Sequence, residues 1–365
     1  MKKLLTALLI ISLITMVFAG CQKASDNTGP SASGPSASGQ DDTPADVTSQ
    51  TPENPEASSH DDNDEKSYEP VDIRIAGLTG PTSMGMVRLM GSAEAGTAAN
   101  NYIFTLAGSA DEVSPKLVQG EIDIAAIPAN LASILYHNTG KQIRLLAINT
   151  LGVIYIVEKG DEVQSLDDLK GKTVYATGKG SVPEYAFRYL LLQKGIDPDN
   201  DITIEWKSEP AEVVALLKGA DSGIALMPQP YVTVAQTQVE GLRIAVDLTK
   251  EWDDLDNDSA FITGVLVVRS EFAEQYPEQI AAFLDEYRQS TEFVNENVSE
   301  AAGLIEKFGI FKAAVAEKAI PYCNITYIDG EEMKAAMEGY LGVLYEQNPK
   351  AVGGSLPDED FYYVR

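Results

Sequence analysis

Gly120-Glu121-Ile122-Asp123-Ile124-Ala125-Ala126-Ile127-Pro128 is the stretch whose reading decides the fold. The stretch from Ile122 to Ile127, apolar apart from Asp123, is too short for an ordinary helix and is punctuated by Gly120 and Pro128, so it reads as a strand. Before it, Val113, Leu117 and Val118 keep helical spacing behind Gly108-Ser109. After it, Leu131, Ile134 and Leu135 do the same behind Pro128. One hundred residues further on the pattern returns: Glu112-Val113, Leu117, Ile124-Ala125 and Pro128 match Glu212-Val213, Leu217, Ile224-Ala225 and Pro228. A constant offset through helix, strand and proline-started turn reads as one unit built twice, once per lobe. Asn130 and Gln229, just past the two prolines, become polar candidates on opposite walls of a cleft.

The alternation continues outward. Val71–Ala76, Tyr102–Ala107 and Ile143–Ile148 read as strands, with Thr82 or Ser83 placed to cap the helix after the first. Val153–Val157 crosses into a new stretch, Thr173 opens a strand, and Ile262–Arg269 forms another before helices run to the C-terminus. Strands alternating with helices at this spacing imply an α/β fold with mostly parallel sheets flanked by helices.

Three motifs carry a resemblance to a known group: Ser165-Leu166-Asp167-Asp168-Leu169-Lys170-Gly171-Lys172-Thr173-Val174, Gly120–Ala125, and Val267-Val268-Arg269-Ser270-Glu271-Phe272. With the strand order, they resemble the substrate-binding lipoproteins of ABC importers in the nitrate, sulfonate, taurine and thiamine-precursor group, over about residues 71–345. That resemblance implies a two-lobed clamshell of the type II periplasmic-binding-protein fold. One lobe is expected from 70–150 and 268–365, with 151–267 inserted as the second. It also implies capture of a small solute and delivery to a permease driven by an ATPase, with no cofactor and a monomeric body.

In open α/β sheets the ligand crevice lies beyond the carboxyl ends of the strands. The loops there nominate Thr79, Pro81, Thr82 and Ser83; Gly108 and Ser109; Pro128, Ala129 and Asn130; Gly178, Lys179, Gly180 and Ser181; and Gln229 with Tyr231. Asn149, Thr150 and Thr263 fall near the expected hinge. Hydroxyls and helix-start N–H groups suit a small oxyanion such as a sulfonate, taurine or nitrate. Ser and Thr in the same places also cap helices, and the Gly178–Ser181 stretch lacks the spacing of a nucleotide phosphate loop. The rival ligand is a pyrimidine, for which Tyr155, Tyr185, Tyr231 and Phe261 are the candidate ring walls.

The N-terminus fixes the expected compartment. Lys2-Lys3, the apolar run Leu4–Phe18, then Ala19-Gly20 and Cys21 read as an export signal. The small residues before Cys21 resemble a bacterial lipobox, which implies cleavage after residue 20 and acylation of Cys21. Residues 22–69 hold eleven acidic residues against two lysines among Ser, Gly, Pro and Thr, a composition expected of a disordered tether. The net charge of −28 argues against nucleic acid as a partner. With Cys21 acylated, Cys323 has no disulfide partner. His60 and His137 have no neighbours at metal-ligand spacing, and no nucleophile–base pair stands out, so binding rather than catalysis is expected. Two readings of a different class remain: a biosynthetic enzyme like those of the thiamine pathway, and a lipid-anchored sensor.

Overall fold

A computed structural model describes residues 68–257 and 259–365. The signal segment, Cys21, most of the 22–69 tether and His60 lie outside the described residues.

Among the described residues, eleven strands form two sheets. They are β1 (Asp72–Leu78), β2 (Asn101–Ala107), β3 (Ile124–Pro128), β4 (Ile143–Leu151), β5 (Ile154–Lys159), β6 (Thr173–Ala176), β7 (Thr203–Trp206), β8 (Gly223–Pro228), β9 (Leu242–Asp247), β10 (Ile262–Arg269) and β11 (Ile325–Ile328). The first sheet has the order β11-β4-β10-β3-β1-β2 and the second β7-β6-β8-β5-β9. Four helices lie between strands of the first half: α1 (Pro81–Met84), α2 (Val87–Glu94), α3 (Ala110–Val118) and α4 (Ala129–Asn138). The middle carries α5 (Val182–Gln193), α6 (Pro210–Gly219), α7 (Tyr231–Gln238) and α8 (Leu248–Asp253). The C-terminal part is α9 (Ser270–Gln275), α10 (Pro277–Glu296), α11 (Val298–Lys307), α12 (Ala313–Ala319) and α13 (Gly330–Gln347).

Duplication is written into the topology. Stripped of β11, the first sheet reads β4-β10-β3-β1-β2, and the second read in the same sense is β9-β5-β8-β6-β7. In each, one strand runs against its neighbours: β10 is antiparallel to β3 and β4, and β5 to β8 and β9. The registers agree as well, since Ala125 faces Val267 and Pro128 faces Gly264, while Ala225 faces Val157 and Pro228 faces Ile154. Within each sheet the other strands of that five-strand core run one way, as the strand–helix alternation predicts.

The reversed strands are also where the chain changes sheet. It passes from β4 to β5 through Gly152-Val153 and returns from β9 through α8 to β10. At Gly152 the two crossings touch: a Cβ there would lie 2.2 Å from Thr249 Oγ1 and 2.5 Å from Phe261 Cδ1, so only glycine fits. Phe261 stacks on Trp252 of α8, ring centroids 5.2 Å apart and 15° from parallel. Trp252 in turn meets Tyr189 of α5 and Tyr340 of α13. One apolar core therefore runs across both sheets on this face. The opposite face has two separate cores, one under α2, α10, α11 and α12, the other under α6 and α7.

The motifs that carried the resemblance hold strand ends. Asp123, whose side chain is 1% exposed, accepts from Arg74 N–H (3.0 Å), Arg74 Nε (2.8 Å), Arg74 Nη2 (2.6 Å) and Arg269 Nη2 (3.0 Å). It thus joins the starts of β1 and β3 to the end of β10. Burial alone would raise its pKa, but the Arg74 and Arg269 hydrogen bonds outweigh burial and hold the carboxyl below its usual range. Ser165 and Asp168 form a capping box around the single 3₁₀ turn Leu166–Leu169 that precedes β6. Buried Glu158 accepts from the N–H groups of Glu162 and Val163 and pairs with Arg243. One local expectation changes: Gly80, not Thr82 or Ser83, is the cap residue before α1. Pro81 already occupies the first helical position, which leaves the cap to the residue before it.

Candidate ligand-binding site

The carboxyl ends of both sheets converge on the crossings. Thr263 Oγ1 donates to Leu151 O (2.5 Å), and Gln229 N–H donates to Val153 O (2.9 Å). Leu151 and Val153 are two residues apart, which spans at most about 7 Å of chain. Gly264, next to Thr263, pairs with Pro128 at the end of β3, so the ends of β3, β4 and β8 are neighbours.

On the first sheet the expected residues gather around Gly264. A Cβ at Gly264 would sit 2.5 Å from Thr82 Cγ2, 2.7 Å from Asn149 Oδ1 and 3.2 Å from Thr150 Cβ. Asn149 is fully buried; its Nδ2 donates to Thr82 O (3.2 Å) and its Oδ1 accepts from Thr150 Oγ1 (3.1 Å). Thr79 Oγ1 donates to Ala107 O, and Thr82 Oγ1 to Leu78 O. Pro81, Pro128 and Ala129 shape the turns into α1 and α4. Ser83 is fully buried, and its Oγ has no partner. Asn130, 3% exposed, donates through Nδ2 to Ala351 O (3.2 Å) while its Oδ1 stays unpaired.

Gly108 and Ser109 lie apart from this group, exposed at the end of edge strand β2. Ser109 N–H and Oγ both donate to Glu112 Oε1, at 3.1 and 3.3 Å, so the serine serves the helix start.

On the second sheet Gly178 and Gly180 adopt φ of +85° and +76°, and a Cβ at Gly178 would lie 2.7 Å from the Pro183 ring. Ser181 Oγ donates to Gly178 O (2.8 Å), and Gly180 N–H to Glu184 Oε2 (2.6 Å). This loop binds itself, and Lys179 points to an exposed position. Gln229 is 1% exposed; its Oε1 accepts from Thr233 N–H (3.2 Å) and Thr233 Oγ1 (2.9 Å), and its Nε2 has no partner.

The candidate ring walls are largely occupied by protein. Tyr155 donates through its hydroxyl to Tyr322 O (2.9 Å), Phe261 is stacked on Trp252, and Tyr231 meets Phe311 edge-on at 5.6 Å. Tyr185 is half-buried against the shared core.

Residues that periodicity and loop position do not nominate complete the surroundings. Ser290 of α10 donates to Gly85 O (2.7 Å) and accepts from Leu89 N–H (3.2 Å), fastening the α1–α2 turn. Tyr287 and Thr291, one helical turn apart, bring two further buried hydroxyls beneath Gly85, where Tyr287 interacts with Thr291 and Asn149. Their contacts are made across more than 130 residues of chain, which local pattern does not reveal.

Open concavities lie elsewhere. One of about 620 Å³ surrounds Arg74 and Asp123 at the strand starts, one of about 500 Å³ lies between α7 and α12, and Tyr231 lines one of about 290 Å³. Of the convergent residues, Ser83, Asn130, Asn149, Thr150 and Gln229 are buried, while Thr82 and Thr263 are partly exposed. Cys323 is fully buried, and burial pushes its thiol pKa up, away from the reactive thiolate. Among the described residues no three His, Cys, Asp or Glu side chains could hold a metal, and no helix is long and apolar enough to cross a membrane.

The profile of the NMT1-like family matches residues 84–306. Among solved structures, an ABC transporter from Parabacteroides distasonis is 26% identical, with a TM-score of 0.68 over 80% of this chain and 99% of that one. The periplasmic aliphatic sulphonate-binding protein SsuA from Escherichia coli is 18% identical, with a TM-score of 0.65 over 81% and 92%. The periplasmic nitrate-binding protein NrtA from Synechocystis PCC 6803 is 16% identical, with a TM-score of 0.51 over 73% and 75%. No curated protein sequence matches the chain. The two-sheet α/β architecture is thus shared with periplasmic binding proteins.

Proposed function

The chain belongs to the NMT1-like family, and on that premise we propose that it is the extracytoplasmic solute-binding component of an ABC importer. One observation carries the reading. Asn130 Oδ1 and Gln229 Nε2 are buried polar atoms without partners among the described residues, and they follow the matching strands β3 and β8 of the duplicated sheets. Each such group left dry costs about 1–3 kcal/mol. A small polar solute held between the sheets would satisfy both. The fold neighbours include an ABC transporter and sulphonate- and nitrate-binding proteins, which supports the same assignment, and binding rather than catalysis.

In this reading residues 70–150 and 268–365 form one lobe and 151–267 the other, except that β10 (Ile262–Arg269), paired with β3 and β4, moves with the first. They part and close about the crossings at Gly152-Val153 and α8. Solute shifts the balance to the closed form because it touches both walls there and one wall when open. Thr82, Ser83, Asn130, Asn149, Thr150, Gln229 and Thr263 are the inner set, with Thr79, Pro81, Pro128, Ala129 and Tyr231 around it. Gly178–Ser181 and Gly108-Ser109 form the rim. The closed monomer then presents the solute to a membrane permease and its ATPase, tethered near them by lipid on Cys21. A sulfonate, taurine or nitrate is the leading class of solute; occupied rings at Tyr155 and Phe261 weigh against a stacked pyrimidine.

Uptake tests the proposal. Deleting the gene should abolish high-affinity uptake of one solute of that class, with restoration by the wild-type gene and not by Gln229→Glu. Undiminished uptake of all of them would remove the importer role.

A further inference from the structure

Hydrogen-bond partners fix which way both orphaned amides face, and that constrains the chemistry of the solute. This step rests on the solute-binding reading above. Asn130 Nδ2 faces the carbonyl oxygen of Ala351 at 3.2 Å. A flipped amide would set two acceptors against each other, so the unpaired atom is Oδ1, an acceptor. Gln229 is fixed the opposite way. Its Oε1 accepts from the backbone N–H of Thr233 at 3.2 Å, a donor that cannot reverse, so the unpaired atom is the Nε2 amide, a donor. The two side chains are 3% and 1% exposed. Ser83 Oγ, also unpaired and fully buried, can act in either sense.

We infer that the site is selective for a small solute carrying both an N–H donor, met by Asn130 Oδ1, and an acceptor group, met by Gln229 Nε2. A bare oxyanion satisfies half of this. Nitrate or an alkanesulfonate offers lone pairs to Gln229 and Ser83, but it presents only lone pairs to Asn130 Oδ1. An aminoalkanesulfonate or amino acid satisfies both sides. Neither wall supplies an unpaired charged side chain among these inner residues, which fits a solute whose own charges balance. The duplicated strands therefore end in complementary groups, an acceptor on one sheet and a donor on the other.

Matched probes test this on the full-length protein by calorimetric titration: taurine against ethanesulfonate, and β-alanine against propionate. Each pair shares its acceptor and differs in the amino group. The amino member should bind about tenfold to a hundredfold more tightly in at least one pair, the effect of one buried acceptor left unpaired. Asn130→Ala should collapse that ratio toward one, because the two members then differ by no contact to this position. A merely structural asparagine would weaken both members alike. Gln229→Glu keeps the bond to Thr233 and loses both N–H groups, so it should weaken both members by a similar factor. Equal affinities within every pair that binds would overturn the inference, with water meeting Asn130, and leave the solute-binding reading intact. Failure of all four probes to bind the wild-type protein would overturn the inference for these classes and count against the reading beneath it.

Discussion

Replacing Asp123 with Asn should lower stability by about 2–3 kcal/mol without changing the fold. The carboxylate takes four hydrogen bonds, three from Arg74 and one from Arg269. Breaking a fully buried pair by removing one partner costs about 3–5 kcal/mol. Here the Arg74 and Arg269 side chains are 40% and 21% exposed, so both guanidinium groups can turn partly to water, and the lower figure follows. The sign with pH is also set. Its folded pKa is depressed, so the contribution is present above the unfolded carboxylate value of about 3.9 and fades as pH falls through the folded one. Urea unfolding at pH 7 and pH 3 reads both effects: the midpoint should drop in Asp123→Asn at pH 7 with an unchanged slope. The gap between variant and wild type should narrow at pH 3. A loss under about 0.5 kcal/mol at pH 7, or a gap that widens in acid, would refute the idea that this carboxylate fastens three strand ends.

Contacts at the crossings set two further outcomes, and the expected lipidation of Cys21 sets a third. Gly264→Ala forces a Cβ within 2.5 Å of Thr82 Cγ2 and should cost about 1–3 kcal/mol, seen as a lower urea midpoint together with weaker solute binding. Phe261→Ala empties the stack on Trp252, a site 1% exposed, and should cost about 3–5 kcal/mol by the same assay. Cys21→Ala should move the protein from the membrane pellet to the medium on immunoblotting, whereas retention in the pellet would remove the lipid anchor.

Much of the architecture was legible because it rests on local pattern. The apolar run at Ile124–Ile127 and its echo at Ile224–Ala225 mark β3 and β8, and the hundred-residue offset anticipates the shared strand order. The motif Gly120–Ala125 was legible as a family mark, but its physical role emerges only when Asp123 is seen between Arg74 and Arg269, 49 and 146 residues away. Loop position nominated Ser83, Asn130 and Gln229, and each proves to carry a buried unpaired atom. It equally nominated Ser109 and Ser181, whose hydroxyls are taken up by their own turns. A serine before a helix looks the same whether it caps or binds. The difference lies in burial and in partners distant along the chain. Short strands β7, β9 and β11 escaped notice because half-buried four- to six-residue runs have little pattern of their own.

Thermal melting of the purified protein against taurine, alkanesulfonates, nitrate, bicarbonate, amino acids and thiamine-pathway pyrimidines tests the central claim most directly. A solute that binds only the native state raises the melting temperature by mass action, by an amount that grows with its concentration. The account predicts such a rise for one small polar solute, present in the wild type and reduced in Gln229→Glu. A rise that survives Gln229→Glu undiminished would contradict the placement of the site, and no rise with any of these solutes would contradict solute capture from this group.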